Sequence, residues 1–394
     1  MSSTLKDRLF LLLNARKDHL LGIICLLITV VILITGLWPL NFDPVNKVEW
    51  LQNGKGIRFY GRGIVFSPEP LVTDGAASRN AYITVEFLIR PHRKSSYAVA
   101  SILTLYDRDL ERFILGQWKK ELIIRIPAAK ADRQEHFREI GIDDALKRDT
   151  THLITVTFGK ESTDIYLDGE FEKSVPHYAL ISDDQGFSGQ LILGNSPEGT
   201  HPWNGTFFGL AIYDRPLNSK EALDHYQVWQ QRIPSRSRLL SGSSMPIALY
   251  LFDEHGGGQI RNHSGDRNHL LIPSTFKPLH RTILGVPAKS QWFTRWILMD
   301  ITINILGFIP FGFFLTAWLW QAKNLSVLRA YGTSILLGVS ISIAIELIQA
   351  YLPTRDSSFL DVISNTLGTV IGVLLLQYAL PILHRIKGDR TLTS

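Results

Sequence analysis

Cysteine is nearly absent from this sequence: Cys25 is the single one in 394 residues. One thiol excludes an intramolecular disulfide framework and any multi-cysteine zinc site. Familiar catalytic signatures are missing too, with no G-x-S-x-G elbow, no H-E-x-x-H pair and no P-loop. Surplus positive charge is missing where a nucleic-acid face would need it. The whole chain carries +5 (41 basic minus 36 acidic residues), yet residues 40–290 hold 30 Lys/Arg against 29 Asp/Glu, a net of +1. The excess lies outside the bulk of the chain, which argues against nucleic acid as a partner.

Charge of either sign is scarcest in four long stretches. Residues 20–38 have none, 296–322 only Asp300, 330–352 only Glu346, and 362–383 none. Each is long enough to cross a hydrocarbon core of roughly 30 Å, so a wholly soluble protein is excluded and a lipid bilayer is the first partner. Trp38-Pro39-Leu40 follows the first stretch where a signal peptide would show a small-residue cleavage site, so the stretch reads as a retained anchor. Four spans put both termini on one side. That side carries Lys6, Arg8, Arg16, Lys17, Lys323, Arg329, Arg385, Lys387 and Arg390 against Asp7, Asp18 and Asp389. Short basic loops stay cytoplasmic, which predicts a multi-pass protein of the bacterial cytoplasmic membrane with both termini inside. Trp38, Trp292 and Trp296 then mark the outer interface, and Trp318 and Trp320 the inner one.

The expected division is a cytoplasmic N-terminus (1–19), a transmembrane helix (20–38), an extracytoplasmic β domain (40–232) and a return segment (233–291). A helical domain (295–384) with spans at about 296–320, 329–352 and 362–383, and a cytoplasmic tail (385–394), complete it. In the β domain, Ile57–Ser67, Ala81–Arg90, Tyr97–Tyr106, Glu121–Ile126, His152–Phe158, Thr163–Leu167, Gln190–Leu193 and Thr206–Tyr213 are short β-branched or aromatic runs. Asp168-Gly169, Gly194-Asn195 and Asn204-Gly205 supply turns. The spacing indicates an antiparallel sandwich closed by one helix at about Ser219–Gln231, with Ser219 as N-cap and Leu223, Tyr226 and Trp229 inward.

Ala81–Pro91, Ile165–Val175 and Trp203–Leu217 give residues 55–232 a resemblance to laminin-G-like, concanavalin-type jelly rolls. The resemblance implies glycan or protein binding, in some members through calcium. No calcium site is expected here: Asp107, Asp109 and Glu111 read as a solvated hairpin end. His255, His263, His269 and His280 are spaced too irregularly for zinc and read as loop histidines, so neither metal nor cofactor is expected.

The apolar spans carry polar residues at helical spacing. Asp300, Asn304, Gly307 and Phe311 share one face, Gly338, Ser342, Glu346 and Gln349 a second, and Asp361, Asn365, Gly368 and Gly372 a third. At 1.5 Å per residue, Asp300 lies about 7 Å and Asn304 about 13 Å below Arg295, and Glu346 about 9 Å below Leu352. The polar groups therefore fall in the outer half of the bilayer, under a loop that carries Arg355. Ionisable residues there are costly and mark a site by default.

Asp300-Ile-Thr-Ile-Asn304, Gly307-Phe-Ile-Pro310-Phe-Gly312, Glu346-Leu-Ile-Gln349, Arg355 and Asp361-Val-Ile-Ser-Asn365 make residues 295–380 resemble the VanZ-like membrane family. That resemblance implies a small helical membrane domain, in a family associated with resistance to glycopeptide antibiotics such as teicoplanin. Asp300, Asn304, Glu346, Gln349, Arg355, Asp361 and Asn365 are the candidate pocket residues.

The fold class expected is a four-helix transmembrane bundle, one helix N-terminal and three C-terminal, carrying a large extracytoplasmic all-β jelly roll. The function expected is recognition of an envelope glycan or surface polymer by an outward-facing jelly roll, above a bundle with a polar outer-leaflet pocket, in envelope or exopolysaccharide assembly or antibiotic tolerance; the partners expected are an envelope glycan or lipid-linked polymer and envelope proteins. The alternative is a membrane enzyme acting on a lipid-linked phosphate or glycan. There Asp300, Glu346 and Asp361 would serve as base or Mg²⁺ ligands, and Arg355 would pair with phosphate.

Overall fold

The computed structural model describes residues 3–52, 54–72, 82–92, 95–107, 110–127, 137–159, 161–178, 188–231, 239, 245–286, 294–321, 323 and 325–390. Side chains of the outermost helical residues, 3–18 and 380–390, are outside the description. The chain forms two compact units, one of residues 1–42 and 281–394, the other of residues 43–280.

The unit of residues 43–280 is all-antiparallel. Its strands are β1 Val48–Trp50, β2 Ile57–Phe59, β3 Val65–Phe66, β4 Leu71–Val72, β5 Ile83–Pro91, β6 Ser95–Asp107, β7 Leu110–Lys119, β8 Glu121–Pro127 and β9 Phe137–Ile142. They continue with β10 His152–Phe158, β11 Ser162–Leu167, β12 Glu170–Pro176, β13 Ser188–Leu193, β14 Gly205–Tyr213, β15 Ala248–Tyr250, β16 Gln259–Ile260 and β17 Leu270–Leu271. Among the described residues one sheet runs β1-β2-β14-β5-β10-β11-β12 with β15 beside β14; the other runs β16-β17-β3-β13-β6-β7-β8-β9 with β4 beside β13. Between them lies a core including Phe59, Phe87, Phe113, Ile154, Val156, Phe158 and Phe207. This is the expected jelly-roll sandwich.

Central strands do not alternate, because both faces are covered. All seven residues of β10 are buried. Ile154, Val156 and Phe158 enter the inter-sheet core, while Leu153 joins a second cluster with Tyr213, Leu217 and Trp229 beneath helix α2, Ser219–Trp229. Gly209 makes that docking possible: a Cβ there would stand 2.1 Å from the Trp229 ring. Asn218, not Ser219, is the N-cap. Its side chain accepts Glu221 N at 3.0 Å and Glu221 accepts Asn218 N at 3.0 Å, a reciprocal box that Ser219 cannot make because Glu221 stands only two residues on. Trp229 is buried and Tyr226 half-buried as expected, but Leu223 is exposed.

Other departures have local causes. Ile57–Ser67 is not one run; Gly61, at φ +82, breaks it into β2 and β3, which go to different sheets. Residues 248–271, read above as part of a return segment, add β15 to one sheet and β16 and β17 to the other. Asp107 bonds Arg112 at 2.9 Å, so that hairpin end is paired rather than simply solvated. Glu111 is half-buried; burial first, then the Glu198 charge, pushes its carboxyl up to about 7. Asp109, Ala81 and Trp292 lie outside the described residues.

In the other unit, α1 (Ser3–Leu37), α3 (Arg295–Gln321), α4 (Val327–Gln349) and α5 (Phe359–Arg390) supply four segments long and apolar enough to cross a membrane. They alternate in direction: Gly36 of α1 meets Ile345 near the end of α4, and Gly22 meets Trp318 near the end of α3. Cys25, Ile32, Phe308, Phe311, Leu315, Ala330 and Ile345 form the interior. Leu20, Leu26, Leu306, Leu336 and Tyr378 point outward, as lipid-facing residues do. Trp38 and Trp296 are exposed, whereas Trp318 and Trp320 pack partly into the interior.

Candidate functional site

Helices α3 and α5 touch backbone to backbone. An added Cβ at Gly312 would lie 2.2 Å from Thr369 O, at Gly368 2.3 Å from Ile305 O, and at Gly372 2.2 Å from Ile309 O. Small residues let apolar helices approach closely in a membrane, where no hydrophobic effect drives them together. Gly307 does not share this role; it is exposed with nothing within 4 Å of its would-be Cβ. Pro310 also faces outward and α3 runs on through it.

This packing brings the polar stripes to one end of the bundle, and each candidate residue has a distinct environment there. Gln349 donates Nε2 to Gly36 O at 2.7 Å, and Arg355 donates Nη2 to Thr35 O at 3.4 Å and to Trp38 O. The last carbonyls of a helix have no partner inside it and carry partial negative charge, so an amide and a guanidinium satisfy both needs. Arg355 thus fastens the end of α1 through Nη2, while its Nε–H is buried without a partner. Glu346, 1% exposed, accepts Ser358 N at 2.7 Å just ahead of α5. Ser357 is a further side-chain partner of Glu346 and accepts Leu284 N at 3.1 Å. A carboxylate at that position caps α5.

Asp300, Asn304, Asp361 and Asn365 remain. Asp361 lies close enough to Asp300, Glu346 and Asn304 to feel all three. Asn365, 4% exposed, donates Nδ2 to Ser342 Oγ at 2.9 Å. Asp300 and Asn304 come within side-chain hydrogen-bonding reach of Asp361, yet Asn304 Nδ2, Asp361 Oδ1 and Asn365 Oδ1 are buried without a well-formed hydrogen bond. Burying such groups unsatisfied costs about 1–3 kcal/mol each. Asp300 is exposed at the edge of this group. The arrangement is acidic, the groups acting on Asp361 being Asp300, Glu346 and Asn304, and its unmet capacity includes an N–H donor and two oxygen acceptors. It suits a polar group bearing both donors and acceptors.

The sandwich holds a cleft that sequence reasoning missed. Val48, Glu49, Trp50, Gln52, Arg58 and Gly257 line about 570 Å³, within the range of small-ligand sites. Trp50 donates Nε1 to Gly257 O at 2.8 Å, and Glu49 lies opposite Arg58 across β1 and β2. The Tyr60 hydroxyl bonds Glu49. Glu49 and Arg58 project from the face of β1 and β2 opposite to Trp50, whose ring packs partly against the sandwich core, so indole and polar groups meet at the edge of the sheet. No signal in the sequence singles out the cleft: Trp50 stands apart from the tryptophans grouped at span ends, but so do Trp118, Trp203 and Trp229.

Comparison with known proteins agrees with both parts. Residues 245–381 match the VanZ/LLP1 family, and residues 70–222 match the Concanavalin A-like lectin/glucanases superfamily. The first match opens upstream of the helices, at β15 to β17. Among curated proteins none matches the chain. Similar solved structures include the receptor-binding domain of botulinum neurotoxin C/D mosaic serotype, 11% identical over 46% of this chain and 45% of that one, TM-score 0.36. Trypanosoma rangeli sialidase in complex with the inhibitor DANA is 12% identical over 48% and 29%, TM-score 0.37. A putative carbohydrate binding protein from Bacteroides ovatus is 16% identical over 58% and 62%, TM-score 0.39. This chain thus spans under half of the first two structures and under two thirds of the third. The chain is a cell-envelope membrane protein that joins a VanZ-like helical domain to a concanavalin-like jelly roll.

Proposed function

We propose that this protein recognises an envelope glycan or lipid-linked polymer from the bacterial cytoplasmic membrane, in the service of envelope or exopolysaccharide assembly. Both termini lie in the cytoplasm and the jelly roll faces outward, a reading supported by the basic residues that flank the spans. The Trp50 cleft is the observation that carries the proposal. It combines an aromatic side chain with Glu49, Gln52 and Arg58, in a domain whose superfamily includes lectins. The VanZ-like bundle anchors the domain, and the Asp300–Asn304–Asp361–Asn365 group receives a polar headgroup. The phosphate-processing enzyme is the weaker reading, because the groups that act on Asp361 are carboxylates and an amide, Asp300, Glu346 and Asn304, and Nη2 of Arg355 is spent on the end of α1.

Full-length protein in lipid nanodiscs, applied to an array of bacterial polysaccharides, tests the recognition step. Binding to a defined glycan, reduced at least tenfold by Trp50→Ala, is the expected result. No binding above background, or binding equal in wild type and variant, refutes it.

A further inference from the structure

We propose that Asp253, Glu254 and His263 form a site for a divalent transition-metal ion, with Zn²⁺ the first candidate. Asp253 and Glu254 follow β15 directly, and His263 returns beside that strand, its N–H donated to Leu249 O at 2.7 Å. One potential ligand atom from each residue lies within 4.8 Å of the other two. His263 Nε2 stands 3.5 Å from Asp253 Oδ1. A charge-assisted hydrogen bond is shorter, about 2.7–2.9 Å. This ion-pair distance also matches the edge of a tetrahedron with metal–ligand arms of about 2.0–2.2 Å, roughly 3.3–3.6 Å.

Each carboxylate has one oxygen held by the scaffold, which leaves the other for the group. Glu254 Oε1 accepts Arg261 N at 2.6 Å, while Glu254 Oε2 is buried with no hydrogen-bond partner. Asp253 Oδ2 meets Lys55 Nζ at 3.3 Å, leaving Oδ1 toward His263. Anchoring the non-ligating atom is how proteins orient a metal ligand. Asn262 holds the loop, accepting Leu249 N and Ser264 N and donating to Arg267 O. One imidazole with two carboxylates selects zinc-like ions, and three protein ligands leave a fourth position for water. Lys55 offsets part of the negative charge, so affinity should fall below that of a cysteine-rich structural site.

Full-length protein in detergent, stripped with chelator, should take up one more equivalent of Zn²⁺ than Glu254→Gln does, by competition against a chromophoric chelator. Co²⁺ should give visible d–d bands in wild type that Glu254→Gln and His263→Asn lose, with affinity reduced at least tenfold. His255→Asn, at an exposed neighbouring position, should bind as wild type. Glu254→Gln keeps the side-chain volume and the Arg261 contact, so it decides the matter even if His263→Asn fails to fold. Equal stoichiometry in wild type and folded Glu254→Gln overturns the site, leaving His263 and Asp253 as an ion pair; so does a response to Ca²⁺ but not to Zn²⁺ or Co²⁺.

Discussion

Replacing Glu86 by glutamine should destabilise the sandwich far more than a one-atom change suggests. Glu86 is fully buried on β5, and its carboxylate meets the Tyr213 hydroxyl at 3.1 Å, His225 Nδ1 at 3.0 Å, Thr155 Oγ1 at 3.2 Å and Trp229 Nε1 at 3.5 Å. His225 and Trp229 belong to α2, so this one carboxylate fastens the helix to the sheet. An amide removes the charge and turns an NH₂ toward groups that donate. Breaking a buried charged pair by removing one partner costs about 3–5 kcal/mol. For a unit of this size, 1 kcal/mol moves Tm by about 2–4 °C, so a loss near 10 °C is expected. Thermal unfolding of the full chain in detergent, followed by the β-sheet circular dichroism signal, measures it. The pH dependence supplies a second check. Burial alone would lower the His225 pKa, but the hydrogen bond and charge of Glu86 outweigh it and raise it. A raised folded-state pKa contributes stability that is complete below the unfolded value, about 6.5, and is lost as pH rises through the folded value. Wild type should therefore lose Tm above about pH 6.5, and Glu86→Gln should lose that slope. A shift under about 2 °C, or a Tm that rises with pH across this window in wild type, refutes the reasoning.

Further expectations concern the bundle and its orientation. Gly312→Ala should lower thermal stability in detergent sharply, because its Cβ would meet Thr369 O at 2.2 Å, whereas Gly307→Ala should be neutral; equal effects would remove the α3–α5 backbone contact. Gln349→Leu should free the end of α1, seen as faster hydrogen exchange at residues 33–38, since Gly36 O loses its 2.7 Å partner; unchanged exchange would contradict the capping role. A cysteine at Ser162 should react with an impermeant reagent in intact cells, and one at Ser3 only after lysis. Labelling of both from outside would overturn the topology.

What could be read from the sequence follows from how local the determinants are. Uncharged runs of helical length mark membrane spans by themselves, and β-branched runs separated by Asp168-Gly169 or Asn204-Gly205 mark a sandwich. Edge strand β12 carried no such signal: nearly every residue of Glu170–Pro176 is exposed, so neither burial nor alternation shapes it. Glu86 reads as a solvent-facing strand residue, and only α2, some 130 residues later, buries it. The Trp50 cleft has the same cause, since Trp50 and Gly257 are 207 residues apart. In the bundle, helical spacing indicated which residues share a face, but not the partner each one meets. Glu346 and Arg355 are equally conspicuous as charges near a membrane. Only the structure shows one capping α5 and the other closing α1.

That sorting sharpens what removing each membrane carboxylate should do. Glu346→Gln keeps a carbonyl oxygen for Ser358 N, so the α5 cap survives, with a modest loss of thermal stability and no change in bound ligand. Asp300 and Asp361 lie near each other, with Nη2 of Arg355 held by the end of α1. If they only join helices, Asp300→Asn and Asp361→Asn should relieve like-charge repulsion, and the protein should retain the same lipids as wild type. If the group receives a polar headgroup, the same variants should fold as stably or more so, yet lose a co-purifying lipid. Burying an amide costs less than burying an ion, so stability and binding then move in opposite directions, which no purely structural role produces. Native mass spectrometry of protein extracted with its lipids reads binding, and a thermal melt of the same sample reads stability. Retention of an unchanged lipid complement in both Asp variants would refute the headgroup site. Loss in Glu346→Gln but not in Asp361→Asn would move the site from α3 and α5 to α4, against the three buried atoms of Asn304, Asp361 and Asn365 that lack a well-formed hydrogen bond.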